Sequence, residues 1–349
     1  MSKKLLLVLG NGFTIDFINH LKSSTNCMNE IDVSNFFKYG AEVPWPESKI
    51  PGFLSYKHCP NLWNLGARPN MDNKEANELI EDIITCINVY AAHPKKSALA
   101  QNNHDIYFAA YLELLSYLRS LFVFYNQKIE DIPQDALTWS WAKYLKQISD
   151  GGYYEEINKV TYNYDIWLER ILQKAEIPFS INGFPYDMGS RETIEIFKPH
   201  GSISFKHGSA QDHTMYKVTY EKEIKDAPIE EFSIDYENLD DYHLINALIP
   251  PAGEANRIQQ ADDSWSKQIH QNIVTTINGM SKDDDCIISG LSYWHVDRNE
   301  LDSILVNCNP EINMKMINPY PTKAFTAVLT SLFSKLIVYP DAKILERLI

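Results

Sequence analysis

Hydrophobic and polar positions along this chain fall into two periods that alternate. Leu5 to Leu9 is an unbroken apolar run ending in Gly10-Asn11-Gly12, the pattern of a parallel strand buried on both faces. Phe13, Ile15, Phe17, Ile18 and Leu21 then supply an apolar helix face. Helical spacing returns at Ile80, Ile83, Ile84 and Ile87, and again at Phe108, Tyr111, Leu112, Leu115, Leu118 and Phe122. Trp139 to Ile148 predicts another helix. Beyond it, strands are expected at Ile157–Tyr162, Ile194–Phe197, Asn246–Ile249, Cys286–Ser289 and Met314–Ile317, with a short extended piece at Ile203–Phe205. Between them lie helical faces at Leu168, Ile171, Leu172 and Ala175; at Trp265, Ile269, Ile273 and Ile277; at Leu301, Ile304, Leu305 and Cys308; and at Phe325, Val328, Leu329 and Leu332.

Strand and helix alternation predicts an α/β fold, a doubly wound Rossmann-like parallel sheet. Residues 1–25 and 151–349 form that domain in this reading, and 26–150 a mainly helical insertion or cap making a second, smaller lobe. The first part of the insertion, about Asn26 to Pro69, is rich in Pro, Trp, Asn and Gly and reads as irregular chain held by aromatic anchors. Ser209 to His243 is polar and acidic, which suggests a surface excursion.

Composition narrows the function classes. The 349 residues are 44% hydrophobic and 12% aromatic, enough for a sizeable core. Lys and Arg total 32 against 46 Asp and Glu, and the net charge of -14 opposes a phosphate backbone, so direct nucleic-acid binding is not expected. No apolar run is expected to approach the roughly 20 residues of a membrane span, and Leu5 to Gly10 is far shorter than a signal peptide's full pattern, so a cytoplasmic protein with no membrane contact is expected. Five cysteines, an odd number without a CxxC pair, speak against a disulfide framework and a zinc ribbon, so no metal is expected.

In an open α/β sheet, loops at the carboxyl ends of strands converge on one crevice. Four qualify: Gly10 to Gly12, Thr161 to Asp165, Pro199 to Ser202 and Gly290 to Ser292. Gly10, Asn11 and Gly12 suit backbone N–H groups that cradle a pyrophosphate, and equally suit a plain tight turn. Asn163 can orient a ribose or a water, while Asp165 is a candidate cofactor contact that equally suits a helix-capping carboxylate. His200, with Gly201 beside it, closes an apolar strand where an imidazole titrating near 6.5 can act as a base. The alternative is a histidine that stabilises a turn. His295 is the second choice, with Asp297 as a helix-start carboxylate. Asp16 either faces a ligand or is a solvated helix residue. Gly290 and Ser292, with Asn318 after the next strand, suit the adenosine half of a dinucleotide.

That order of loops resembles the sirtuin-like domain of bacterial anti-phage defence proteins. The resemblance rests on LVLGNGF (Leu7 to Phe13), TYNYD (Thr161 to Asp165), KPHGSI (Lys198 to Ile203), LIPP (Leu248 to Pro251) with Trp265, CIISGLS (Cys286 to Ser292) with Asp297, and INPYP (Ile317 to Pro321). It spans nearly the whole chain. It implies NAD as substrate, with Asn163 and His200 serving its cleavage and Gly10, Gly12, Gly290, Ser292 and Asn318 contacting it. An NAD glycohydrolase releasing nicotinamide and ADP-ribose, an NAD-depleting defence effector, is the activity it implies. Deacetylation is not implied, because the paired zinc cysteines and the GAG-type first loop with its arginine are missing. A non-catalytic NAD or ADP-ribose sensor acting through a partner, or an ADP-ribosyltransferase, stays open. So do a homo-oligomer and a regulatory partner protein. GNGF alone also resembles another group of phage-abortive proteins.

Overall fold

The computed structural model describes residues 3–22, 26–92, 106–185, 194–218, 225–250, 263–292 and 298–348. Strand β1 (Lys3–Leu9) runs into helix α1 (Asn11–Leu21), and α2 (Pro60–Leu65), α3 (Asn73–Ala92), α4 (Ile106–Gln127) and α5 (Ser140–Gly151) precede β2 (Tyr154–Thr161). After α6 (Trp167–Lys174) come β3 (Phe179–Ile181), β4 (Ile194–Phe197), β5 (Phe205–His207) and β6 (Phe232–Ile234). The chain closes with α7 (Trp265–Asn278), β7 (Asp285–Ser289), α8 (Arg298–Asn307), β8 (Asn313–Ile317), α9 (Lys323–Leu332) and β9 (Leu336–Tyr339).

Seven strands form one sheet in the order β3-β4-β2-β1-β7-β8-β9, with every neighbouring pair parallel. This is an α/β architecture consistent with a Rossmann-like doubly wound fold. Leu5 to Leu9 are fully buried, which is why the run has no polar alternation. Leu7 lies between Lys159 of β2 and Ile287 of β7. From β1 the order grows to β2 on one side and to β7 on the other, so the switch point lies at the carboxyl ends of β1 and β7.

The chain divides into two compact units. The first, Met1–Met28, Glu130–Pro199 and Gln268–Ile349, holds the large sheet; the second is Asn29–Ile129 with His200–Lys267. The expected boundaries differ at two places. Residues 130–150 group with the sheet because Trp139 and Trp141 pack on Phe13 of α1, at ring-centroid distances of 4.9 and 5.4 Å, and Asp16 accepts the Trp139 indole N–H at 2.9 Å. Residues 200–267 group with the insertion: Ile229, Phe232, Leu239 and Tyr242 are buried, so the polar stretch after Ser209 contributes core.

In the second unit the aromatic anchors hold the irregular segment. Phe53 packs on Trp45 and Tyr117 at 5.0 and 5.7 Å, and the Tyr117 hydroxyl donates to the Phe36 carbonyl at 2.5 Å. Glu113 of α4 is buried, and its carboxylate accepts the Leu62 N–H at 2.8 Å and the Asn61 N–H at 3.2 Å. It thus satisfies otherwise orphaned donors in the first turn of α2. Against the expectation that no apolar run is long enough, α4 is by length and composition apolar enough to cross a membrane, and 67% of its most apolar window is buried in the protein.

Three sequence expectations change. Asn246–Ile249 does not join the large sheet; instead Gly201 bridges Leu248, and the Ile249 N–H donates to the His200 carbonyl at 3.0 Å. Ile203–Phe205 contributes only Phe205 to a strand, β5, which pairs with β6 antiparallel. The sheet also gains β3 and β9, which periodicity did not reveal.

Lys159 stands in β2, fully buried, and its Nζ meets no hydrogen-bond partner among the described residues. Burial pushes its pKa down to about 7, with the charge of Glu169 opposing the shift. The unfolded chain therefore binds more protons than the folded one between about 7 and 10.5, and stability rises with pH across that window. Lys159→Met is expected to stabilise the protein near neutral pH by on the order of 1–4 kcal/mol, a gain that shrinks toward the alkaline end of the window. Urea melts across this range measure it; an unchanged or lowered stability at neutral pH contradicts the expectation.

Candidate functional site

At the switch point the loops after β1 and β7 touch backbone to backbone. The Gly10 N–H donates to the Ser289 carbonyl at 3.0 Å and the Gly12 N–H to the Gly290 carbonyl at 2.9 Å. Gly290 has φ +66°, and a Cβ placed on it falls 2.4 Å from the Phe13 nitrogen and 2.6 Å from the Gly12 carbonyl carbon. A side chain fits neither the conformation nor the space. The glycines are thus accounted for by the packing of the two loops, and a dinucleotide held here draws on N–H groups other than those of Gly10 and Gly12.

Beside this contact Asn163, two residues past the end of β2, is held from two sides. Its Nδ2 donates to the Gly10 carbonyl at 3.1 Å and to Thr14 Oγ1 at 2.9 Å. Both amide protons are committed, which leaves the carbonyl oxygen as the side-chain atom open to a new donor. The Thr14 hydroxyl in turn donates to Asp165 Oδ2 at 2.8 Å, and Asp165 Oδ1 accepts the Trp167 N–H at 3.2 Å at the start of α6. Asp165 thus serves the helix start and, through Thr14, the orientation of Asn163.

A charged layer lies under this relay. Lys198, just past β4, donates its Nζ to the Asp165 carbonyl at 2.7 Å and to Glu169 Oε1 at 2.5 Å, with both side chains of that ion pair fully buried. Burial raises the Asp165 pKa to about 6, against the lowering pull of Lys198 and of the Thr14 hydrogen bond, while Glu169 pushes the same way as burial.

The remaining predicted residues fall in both units. Asn11 and Ser292 are exposed. Asn318 donates to the Leu291 carbonyl at 3.3 Å and accepts the Tyr320 N–H at 2.9 Å, so it ties its own loop to the loop after β7. His200 and Gly201 open the second segment of the second unit. His200 is 5% exposed. Gly201 has φ +81°, and a Cβ there falls 1.7 Å from the Ala247 carbonyl oxygen, so the turn after His200 admits only glycine. His295 and Asp297 lie outside the described residues.

Sequence reasoning missed Thr14, Lys198 and Glu169. Asp165 and Glu169 stand four apart, the spacing of one helix face, which is the only signal that grouped any of them. Among the described residues no group of three or more His, Cys, Asp or Glu side chains is placed to hold a metal ion. No model of a known protein family matches the chain, and no curated protein matches it.

Two measurements test this geometry. Gly290→Ala is expected to lose at least about 2 kcal/mol of stability, from a left-handed residue forced against backbone that cannot yield; a loss below about 0.5 kcal/mol in denaturant melts refutes the close approach. For Asp165 the folded state binds more protons than the unfolded one between 3.8 and about 6, so its contribution is present below that window and lost as pH rises through it. The shift corresponds to about 3 kcal/mol. Asp165→Asn is expected to flatten the fall in stability over that interval, and an unaltered slope contradicts the assignment.

Proposed function

We propose that the protein is an NAD glycohydrolase that releases nicotinamide and ADP-ribose, serving as an NAD-depleting effector in anti-phage defence. The observation that carries the reading is Asn163, a buried amide with both protons held by Gly10 and Thr14 at the carboxyl end of a central parallel strand. Its resemblance partners in the strand-end loops, His200 above all, support the choice of substrate.

In the proposed reaction the bond between the ribose anomeric carbon and the pyridinium nitrogen breaks. Its electron pair leaves with nicotinamide, so the leaving group departs neutral and the sugar passes through an oxocarbenium-like transition state. The Asn163 oxygen accepts a hydrogen bond from a ribose hydroxyl or from the attacking water and fixes its direction. His200, three residues beyond the end of β4 in the chain, accepts the proton of a ribose hydroxyl or polarises it. Water adds to the anomeric carbon, and its proton passes to solvent. An enzyme that empties the NAD pool needs restraint, which fits control by self-assembly or a regulatory partner.

Purified protein supplied with NAD is expected to release nicotinamide. His200→Ala and Asn163→Ala are each expected to lower that release by roughly 100-fold or more while melting and circular dichroism stay near wild type. Unchanged release in either variant removes that residue from the mechanism. NAD binding without turnover favours a sensor, and label from NAD incorporated into protein or nucleic acid favours a transferase. Failure to bind NAD overturns all three readings.

A further inference from the structure

Strand β9 is the last of the large sheet and pairs only with β8. The Met314 N–H donates to the Lys335 carbonyl at 3.2 Å and the Asn318 N–H to the Tyr339 carbonyl at 3.0 Å, so by strand alternation β8 takes the backbone groups of Lys335, Ile337 and Tyr339. Those of Leu336 and Val338 point the other way, out of the sheet, and meet no partner among the described residues. Ile337 and Val338, on opposite faces of the strand, are 51% and 39% exposed. An apolar edge with open donors and acceptors is a template for another strand, and monomeric proteins usually cover or break it.

Two copies of this edge satisfy one another in one register. When two β9 strands run antiparallel about a twofold axis at Ile337, Leu336 of each lies opposite Val338 of the other, and both backbone bonds are exchanged at each of these pairs. Every outward N–H and C=O of the strand is then matched. Moving the axis to Leu336 asks for the Ser334 N–H, which already donates to the Pro310 carbonyl at 2.9 Å, and moving it to Val338 asks for an N–H that Pro340 lacks. The side chains favour the same register. Ile337 meets its own copy in the close, non-hydrogen-bonded pair. Lys335 falls opposite Tyr339 of the second copy and diagonal to its Asp341, where the backbone is still extended at φ −151° and ψ 166°. Both charges are exposed, and neither has an ion-pair partner among the described residues; Lys335 Nζ donates to the neutral Asn313 Oδ1 at 3.3 Å. The twofold axis sets each charge near its opposite, once on either side of Ile337.

We infer that the protein forms a twofold dimer in which the β9 strands of two copies pair antiparallel around Ile337, joining their large sheets into one continuous sheet. The pairing surface belongs wholly to the first unit and does not depend on the NAD reading.

Sedimentation equilibrium and light scattering on the full chain are expected to show a monomer–dimer equilibrium in the micromolar range. Val338→Pro removes an outward N–H that β8 does not use, so it is expected to weaken dimerisation roughly tenfold or more while circular dichroism stays near wild type. Ile337→Cys is expected to cross-link the two copies through its own disulfide under mild oxidation, because only a residue on the axis lies opposite itself. Ser334→Cys, which faces Pro340 in this register, and the wild-type protein are expected to stay uncross-linked. A chain that remains monomeric through that range overturns the inference. So does a dimer that folded Val338→Pro leaves at full strength, one that Ile337→Cys fails to cross-link, or one that Ser334→Cys cross-links as readily. Where Val338→Pro does not fold, the cross-link decides.

Discussion

Backbone meets backbone where Gly12 passes Gly290, and much of the first unit takes its geometry from that approach. The two loops stay hydrogen-bonded beyond the ends of β1 and β7, so the sheet extends past its last paired residues before the chain turns into α1. Thr14 lies in the first turn of α1, two residues after Gly12, and its hydroxyl is where Asn163 and Asp165 meet. Spreading the loops by the width of one methyl group would displace the start of α1 and with it the hydroxyl that accepts from Asn163 and donates to Asp165. Aromatic packing secures the other side of the same helix through Phe13, Phe17 and Trp139.

Under this contact the protein accepts an electrostatic burden that a purely structural sheet would avoid. Two amines, Lys159 and Lys198, and two carboxylates, Asp165 and Glu169, are all buried within the same unit. Only Lys198 and Glu169 form a direct ion pair, and even a good buried pair is often no more stabilising than apolar residues of the same size. What the pair does supply is a fixed position for the chain between Asp165 and α6, since Lys198 binds the Asp165 carbonyl as well as Glu169. Rigid support beneath a polar strand end is the condition that a preorganised site requires.

The sequence made the interior strands legible because burial on both faces leaves no polar interruption, as in Leu5 to Leu9 and in Cys286 to Ser289. Edge strands were not legible. Leu336 to Tyr339 pairs on one side only and is half exposed, so its short apolar run carries no period. Asn246–Ile249 was legible as buried chain but not in its choice of partner, which depends on the left-handed turn at Gly201. At the candidate site, Asn163 and Asp165 stood out as polar residues at a strand end. Thr14 did not, because one hydroxyl in an apolar helix face has no spacing to mark it. Lys198 and Glu169 were hidden because a charge becomes informative only when tertiary packing buries it. The same holds for Glu113 and Arg119 inside the otherwise apolar α4.

Arg119 also bears on how the chain is made. The second unit is discontinuous, and the carbonyls of Ile203 and Leu239 that receive this arginine lie 84 and 120 residues further along. At synthesis rates of about 5–20 residues per second, the second of them follows α4 by roughly 6–24 s. Through that interval a long apolar helix with a buried-type cation has left the ribosome ahead of its acceptors. Partner segments for the sheet are being made meanwhile, since β2 and β4 fall between the two halves of the second unit. The newborn chain can therefore pack α4 against α2 and α3, which precede it, while Arg119 alone still lacks the carbonyls that receive it.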